Sequence, residues 1–148
     1  MTDYNKLCNQ LKSLTDGVPH TIANLANAAA LLWETLPDVN WAGFYLLNGA
    51  KLVLGPFQGK TACIEIPVGN GVCGTAAASG VTVVVDDVHK FDGHIACDCA
   101  SNSEIVIPLY VDNTLFGVLD IDSPVFSRFT EQDKLGLEQY AKVLQANL

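Results

Sequence analysis

Basic side chains are scarce in this chain: eight lysines and arginines stand against sixteen aspartates and glutamates, a formal charge of −8. That deficit disfavours docking on a phosphate backbone or an anionic lipid surface, so neither nucleic acid nor a membrane is an expected partner. Charge of either sign is sparse, at 16% of residues against 49% hydrophobic. Over 148 residues this balance suffices for one sizeable core, and the length is too short for two ordinary domains, so a single domain over 1–148 is expected. No run approaches the roughly 18 apolar residues of a membrane helix. The start, MTDYNKLCNQLKSL, lacks the basic entry and apolar block of a signal peptide, which makes a cytoplasmic location the expectation. No internal repeat, low-complexity tract or linker marks a second module.

What is present reads as an orderly series of elements. Leu7, Leu11 and Leu14 recur at near-helical spacing over 3–16, and Asp16-Gly17 with Pro19 ends that helix. From Thr21 to Leu36 the residues Ile22, Leu25, Ala29, Leu32, Trp33 and Leu36 give a second helix one face that packs on a sheet. WAGFYLL and KLVLGPF, separated by Asn48-Gly49-Ala50, predict a hairpin. ACIEIPV alternates as a third strand, and GNGVCGTAAASG turns into a helix of small residues. VTVVVDDV, SEIVIPLYV and LFGVLDID predict three more strands, the last two joined at Asp112-Asn113. Thr130 to Asp133 forms a capping box for a final helix ending near Leu144. Helices at both ends of a mainly hairpin-connected sheet imply an α+β fold, with ligand access through the long segments 69–80 and 86–103.

Five cysteines is an odd count. In a reducing compartment thiols are more often buried, metal-bound or catalytic than locked in permanent bridges. His94, Cys97 and Cys99, with His89, supply ligand types for zinc, but the spacing is unusual and no second cysteine pair completes a knuckle. Cys97 and Cys99 also suit a small apolar filler. A third reading is a reactive thiol in a polar, glycine-led segment, with Cys63 or Cys73 able to capture its sulfenic acid. Cys8, among Leu7 and Leu11 of the first helix, reads as a core or surface thiol.

Asp120 and Asp122 are two apart on one strand, so they share a face, and Glu104 opens the preceding strand. A solvated face is the bland reading of such acids. Their setting in an apolar run favours instead a shared cleft, where carboxylates raise one another's pKa. Trp41 and Tyr45 also share a strand face and suit either core packing or the wall of an apolar slot.

The stretches NWAGFYLL, LGPFQGKTACIEIPVGNGVCGTAA, VVVDDVHKFDGHIACD, ASNSEIVIPL and GVLDIDSPVFSRFTEQD together resemble the GAF-fold free methionine-(R)-sulfoxide reductases. The resemblance runs from about Asn40 to Asp133. It implies a GAF-like, mainly antiparallel sheet of about six strands with terminal helices packed on it. It further implies that Cys97 attacks the sulfoxide of free L-methionine (R)-S-oxide, that Cys63 is the usual resolving partner, and that Cys73 is a third motif cysteine. Trp41 then lines a methyl pocket that Tyr45 helps to wall, and Glu104, Asp120 and Asp122 surround the polar end of the substrate. By the same resemblance no metal or organic cofactor is needed, and a thioredoxin-like dithiol returns the disulfide to thiols. Cys99 departs from the family's usual small residue there. The stereochemistry rests on this resemblance alone. A homodimer is compatible with the apolar stripes of the terminal helices, whose partner the sequence does not identify. The rival from another class is a GAF sensor module that binds a small molecule without catalysis; it would require neither the three placed cysteines nor the acids.

Overall fold

Two tight reversals set the sheet. At Gly49 (φ 64°) the chain turns from β1 (Trp41–Asn48) into β2 (Lys51–Gly59). At Asp112 (φ 51°) and Asn113 (φ 62°), both left-handed, it turns from β5 (Ser103–Val111) into β6 (Thr114–Ser123). Positive φ at both central residues matches the twist of a two-residue hairpin, and Asp and Asn tolerate it better than branched residues do. The computed structural model describes residues 1–93 and 100–148.

The remaining elements are α1 (Tyr4–Thr15), α2 (Thr21–Thr35), β3 (Glu65–Pro67), α3 (Gly71–Ser79), β4 (Val83–Val85), a 3₁₀ turn at Val88–Lys90 and α4 (Glu131–Gln145). The six strands form one antiparallel sheet in the order β3-β2-β1-β6-β5-β4. The expected α+β architecture is therefore present, with the central pair β1 and β6 brought together from distant parts of the chain.

Two expected strands are shorter than their sequence patterns. The ladder of β3 spans only Glu65–Pro67, opposite Lys51–Val53. Farther along, β2 carries Pro56, which has no N–H to give to a ladder, and Cys63 falls in the segment between β2 and β3. The strand expected from VTVVVDDV contracts to β4, because the Asp87 carboxylate accepts the backbone N–H of His89 at 3.0 Å and starts the 3₁₀ turn.

Strand alternation divides the buried residues between two faces. Ala42, Phe44, Ile105, Ile107, Leu119 and Ile121 point to the side covered by α1, α2 and α4, where Leu7, Leu11, Leu25, Leu32, Leu137 and Leu144 meet them. Cys8 belongs to this core. Tyr140 of α4 fixes the helix layer by donating to the Ala28 carbonyl of α2 at 2.7 Å. The opposite face carries Trp41, Tyr45, Val106 and Val118 and is covered by the small residues of α3, among them Val72, Cys73 and Ala76. Gly74 lets α3 lie close, since a Cβ there would stand 2.6 Å from the Pro67 carbonyl oxygen. The α3 helix carries the chain from edge strand β3 to the opposite edge strand β4. It roofs only this second face, and that is where the polar residues gather.

Candidate functional site

Register brings the acids together. Asp122 is paired with Trp41 on one side and with Glu104 on the other, while Asp120 lies between Gly43 and Val106. Trp41, Tyr45, Glu104, Asp120 and Asp122 thus share the α3 face of three adjacent strands, as their spacing predicts. Glu104 and Asp120 are 6% and 5% exposed. Carboxylates this buried need partners, and the Glu104 carboxyl is hydrogen-bonded to both Asp120 and Asp122. Burial first, and then the charges of Asp120 and Asp122, push the Glu104 pKa well above the usual carboxyl range. The shift holds Glu104 toward its protonated form, in which it donates a hydrogen bond.

Cys73, in the first turn of α3, reaches the same cluster. Its sulfur and one oxygen each of Glu104 and Asp120 lie within 4.8 Å of one another. Among the described residues this is the set with the spacing to hold a metal ion; hydrogen bonds already join its members without one. Burial pushes the Cys73 thiol pKa up, and the fields of Asp120, Glu104 and Asp122 and a hydrogen bond to Asp120 push it further. Cys73 is therefore a protonated thiol and a poor nucleophile. The sequence offered no sign that this cysteine faces the acids.

An aromatic wall adjoins the acids. The rings of Trp41 and Tyr45 stack with centroids 5.9 Å apart, and Phe57 of β2 also stacks on Trp41, at 5.1 Å. Phe57 was not singled out from the sequence; the register places it opposite Gly43, which sits between Trp41 and Tyr45 on the site face. A Cβ on Gly43 would collide with the Phe57 Cβ. Glycine thus makes the gap into which Phe57 folds.

Above the wall runs the segment that contains Cys63. Trp41 donates its indole N–H to the Lys60 carbonyl at 3.1 Å, and Tyr45 donates its hydroxyl to the Cys63 carbonyl at 2.8 Å. Cys63 is disulfide-bonded. Cys8 and Cys73 are free thiols, so neither closes that bridge. Cys97, with His94 and Cys99 of the same stretch, lies outside the described residues. His89, the remaining member of the conjectured zinc set, pairs instead with Asp87 at 2.9 Å.

The arrangement offers a carboxyl group held toward its neutral form, two further carboxyl groups, an apolar aromatic slot and a disulfide-bonded cysteine beside it. It suits a small polar molecule with one apolar arm and one oxygen that accepts a proton.

The family model described as "GAF domain" matches residues 14–148. The chain is 58% identical over 142 residues to the free methionine-R-sulfoxide reductase of Escherichia coli (strain K12), covering 96% of this chain and 86% of that protein. It is 45% identical over 141 residues to the free methionine-R-sulfoxide reductase of Saccharomyces cerevisiae, covering 90% of this chain and 78% of that one. Among solved structures, the reduced form of fRMsr of Staphylococcus aureus superimposes with a TM-score of 0.97 at 51% identity, covering 100% of this chain and 96% of that one.

Proposed function

The chain belongs to the GAF-domain family, among the free methionine-R-sulfoxide reductases, and from that premise we propose that it reduces free methionine-R-sulfoxide to methionine by thiol chemistry at the face just described. The observation that carries the reading is the meeting of the buried Glu104–Asp120–Asp122 cluster with the Trp41–Phe57 stack, beside a segment whose Cys63 is disulfide-bonded. A small-molecule sensor would have no use for that disulfide, and the reductase reading is favoured over it.

In the proposed reaction Cys97 is the attacking thiol. Its sulfur takes the sulfoxide oxygen, so that thiol and sulfoxide become sulfenic acid and thioether: the S–O bond of the substrate breaks and an S–O bond to Cys97 forms. The neutral Glu104 carboxyl donates to the sulfoxide oxygen and eases its departure from the substrate sulfur. Asp120 and Asp122 hold the Glu104 proton in place and offer acceptors to the substrate ammonium. The methyl group lies against Trp41, with Tyr45 and Phe57 completing the wall. Cys63 then displaces the sulfenic hydroxyl as water and closes the disulfide. An external dithiol of the thioredoxin type, in the cytoplasm, reopens it by exchange. Cys73 stays reduced in this scheme, in keeping with its raised pKa. The proposed unit is one domain over 1–148 that needs no metal or organic cofactor, and a homodimer is its proposed assembly.

The test is one equivalent of free methionine-R-sulfoxide added to the reduced protein, followed by mass spectrometry. One methionine released and two hydrogens lost, with both changes abolished in Cys97→Ser, is the expected result. Release of no methionine by the unmodified protein would reject the reading.

A further inference from the structure

Two of the three aromatic residues of the wall, Trp41 and Tyr45, make polar contacts that substrate packing does not require. Both spend their single hydrogen-bond donor on the same stretch of chain: the Trp41 indole on Lys60 and the Tyr45 hydroxyl on Cys63. Residues 60–64 lie between the end of β2 and the start of β3, outside any strand. At the far end of the stretch the Leu54 N–H donates to the Ile64 carbonyl at 2.9 Å. A segment outside the ladder needs such ties if its side chain is to be presented in one place. Here two of them come from the floor of the site itself. Tyr45 is 2% exposed, so its hydroxyl has little water to turn to.

We propose that Tyr45 and Trp41 are positioning residues for the resolving thiol, holding the 60–63 segment by its carbonyl oxygens so that the Cys63 sulfur is presented for disulfide closure. This role rests on the reading of Cys63 as resolver, and it is separate from lining the methyl pocket. The step it serves is balanced: the Cys63 thiol and the Cys97 sulfenic acid give the disulfide and one water, the sulfenic S–O bond breaking and the Cys63 proton leaving with the oxygen. The two hydrogen bonds are seen with the disulfide closed; kept in the dithiol form, they orient the thiol in advance, and an oriented thiol closes faster than one that must search.

Hydrogen peroxide separates this role from substrate binding, since it oxidises Cys97 to the sulfenic acid without using the methionine pocket. Reduced protein is treated with limiting peroxide in the presence of dimedone, which captures sulfenic acid, and mass spectrometry counts adduct against disulfide. Tyr45→Phe keeps the ring and loses the donor. Its adduct-to-disulfide ratio is expected to rise about fivefold, the factor carried by one net hydrogen bond of about 1 kcal/mol. Trp41→Phe is expected to move the ratio in the same direction and serves in its place should Tyr45→Phe fail to fold. The comparison is made on variants whose urea midpoints show them fully folded, and adducts are counted at Cys97 alone; damage confined to the methionine pocket leaves that ratio unchanged, because peroxide does not use the pocket. Ratios equal to that of the unmodified protein in folded variants would overturn the positioning role and leave the proposed reaction standing. Absence of any Cys63 disulfide in the unmodified protein would instead overturn the resolver assignment, and the positioning role with it.

Discussion

Glu104 of β5 and Asp122 of β6 stand opposite each other across the ladder with their carboxyl groups hydrogen-bonded, and the Glu104 pKa is raised by burial and by the neighbouring carboxylates. The folded protein therefore binds a proton that the unfolded chain has released once the pH exceeds the ordinary value of 4.5. Stability must fall as the pH rises from that value toward the raised one. Glu104→Gln removes this slope. The variant should gain stability relative to the parent as the pH rises above the ordinary carboxyl value, read from urea midpoints at several pH values. Its turnover should fall on the order of a hundredfold or more, because an amide cannot pass on the proton that the sulfoxide oxygen needs. An unchanged stability slope would contradict the proton on Glu104.

Cys63 and Cys73 are expected to behave differently when each is changed to serine. Cys63 is bridged, whereas Cys73 is a buried free thiol whose proton is held by burial and by three surrounding carboxyl groups. Cys63→Ser should release one methionine per protein and then stop, with the sulfenic acid persisting. Cys73→Ser should still lose two hydrogens on oxidation. Counting thiols by mass spectrometry after a single turnover distinguishes them, and a disulfide lost in Cys73→Ser but kept in Cys63→Ser would reverse the assignment.

Gly43 makes a sharper structural prediction. Besides the collision with the Phe57 Cβ, an added methyl would stand 2.7 Å from the Phe57 Cα and 2.9 Å from the Pro56 carbonyl oxygen, backbone atoms that cannot swing aside. Gly43→Ala should cost about 1–3 kcal/mol, the usual range for overpacking, and should raise KM by displacing Phe57 from Trp41. Gly49→Ala is the control. It meets open space and carries only the strain of φ 64°, so it should cost about 1 kcal/mol and leave KM unchanged. Equal effects of the two on KM would show that the Phe57 stack plays no part in binding.

The residues that were legible in the sequence are those whose position follows from strand periodicity. A spacing of two put Asp120 with Asp122, a spacing of four put Trp41 with Tyr45, and both pairs lie on the face expected. The capping box at Thr130 and the left-handed turn at Asp112-Asn113 were equally readable, because each is a local demand of the backbone met by particular side chains. Contacts between elements were less accessible. Nothing local to GVCG says that Cys73 will touch carboxylates some 30 and 50 positions later in the chain, and nothing in KLVLGPF says that Phe57 will cover Gly43. The alternation of ACIEIPV was real yet overran the strand, since a pattern of side chains does not reveal whether the neighbouring strand has N–H groups left to pair with. The fold class followed from element order, but the pairing of β1 with β6, which joins the aromatic wall to the acids, is a property of the assembled sheet.

Asp133 supports the last prediction, at a place far from the sulfur chemistry. Its carboxylate accepts from the Tyr4 hydroxyl at 2.6 Å and from Arg128 at 3.1 Å, and it closes the α4 capping box by accepting the Thr130 backbone N–H at 2.9 Å. Gly136, one turn along α4, leaves room for the Tyr4 ring to lie against the helix. Burial alone would raise the Asp133 pKa, but the Tyr4 and Thr130 hydrogen bonds and the Arg128 charge outweigh it and hold the pKa below the ordinary 3.8. The unfolded chain therefore takes up a proton before the folded one does. The stabilisation is fully present above the ordinary value and is lost as the pH falls through the lowered one. Asp133→Asn should cost about 1–2 kcal/mol at neutral pH, the scale of a lost helix cap, while KM for the sulfoxide stays the same. The difference in urea midpoint between parent and variant should shrink as the pH drops below about 4. A difference that stayed constant down to the acid transition would mean that the cap acts through its shape and not through its charge.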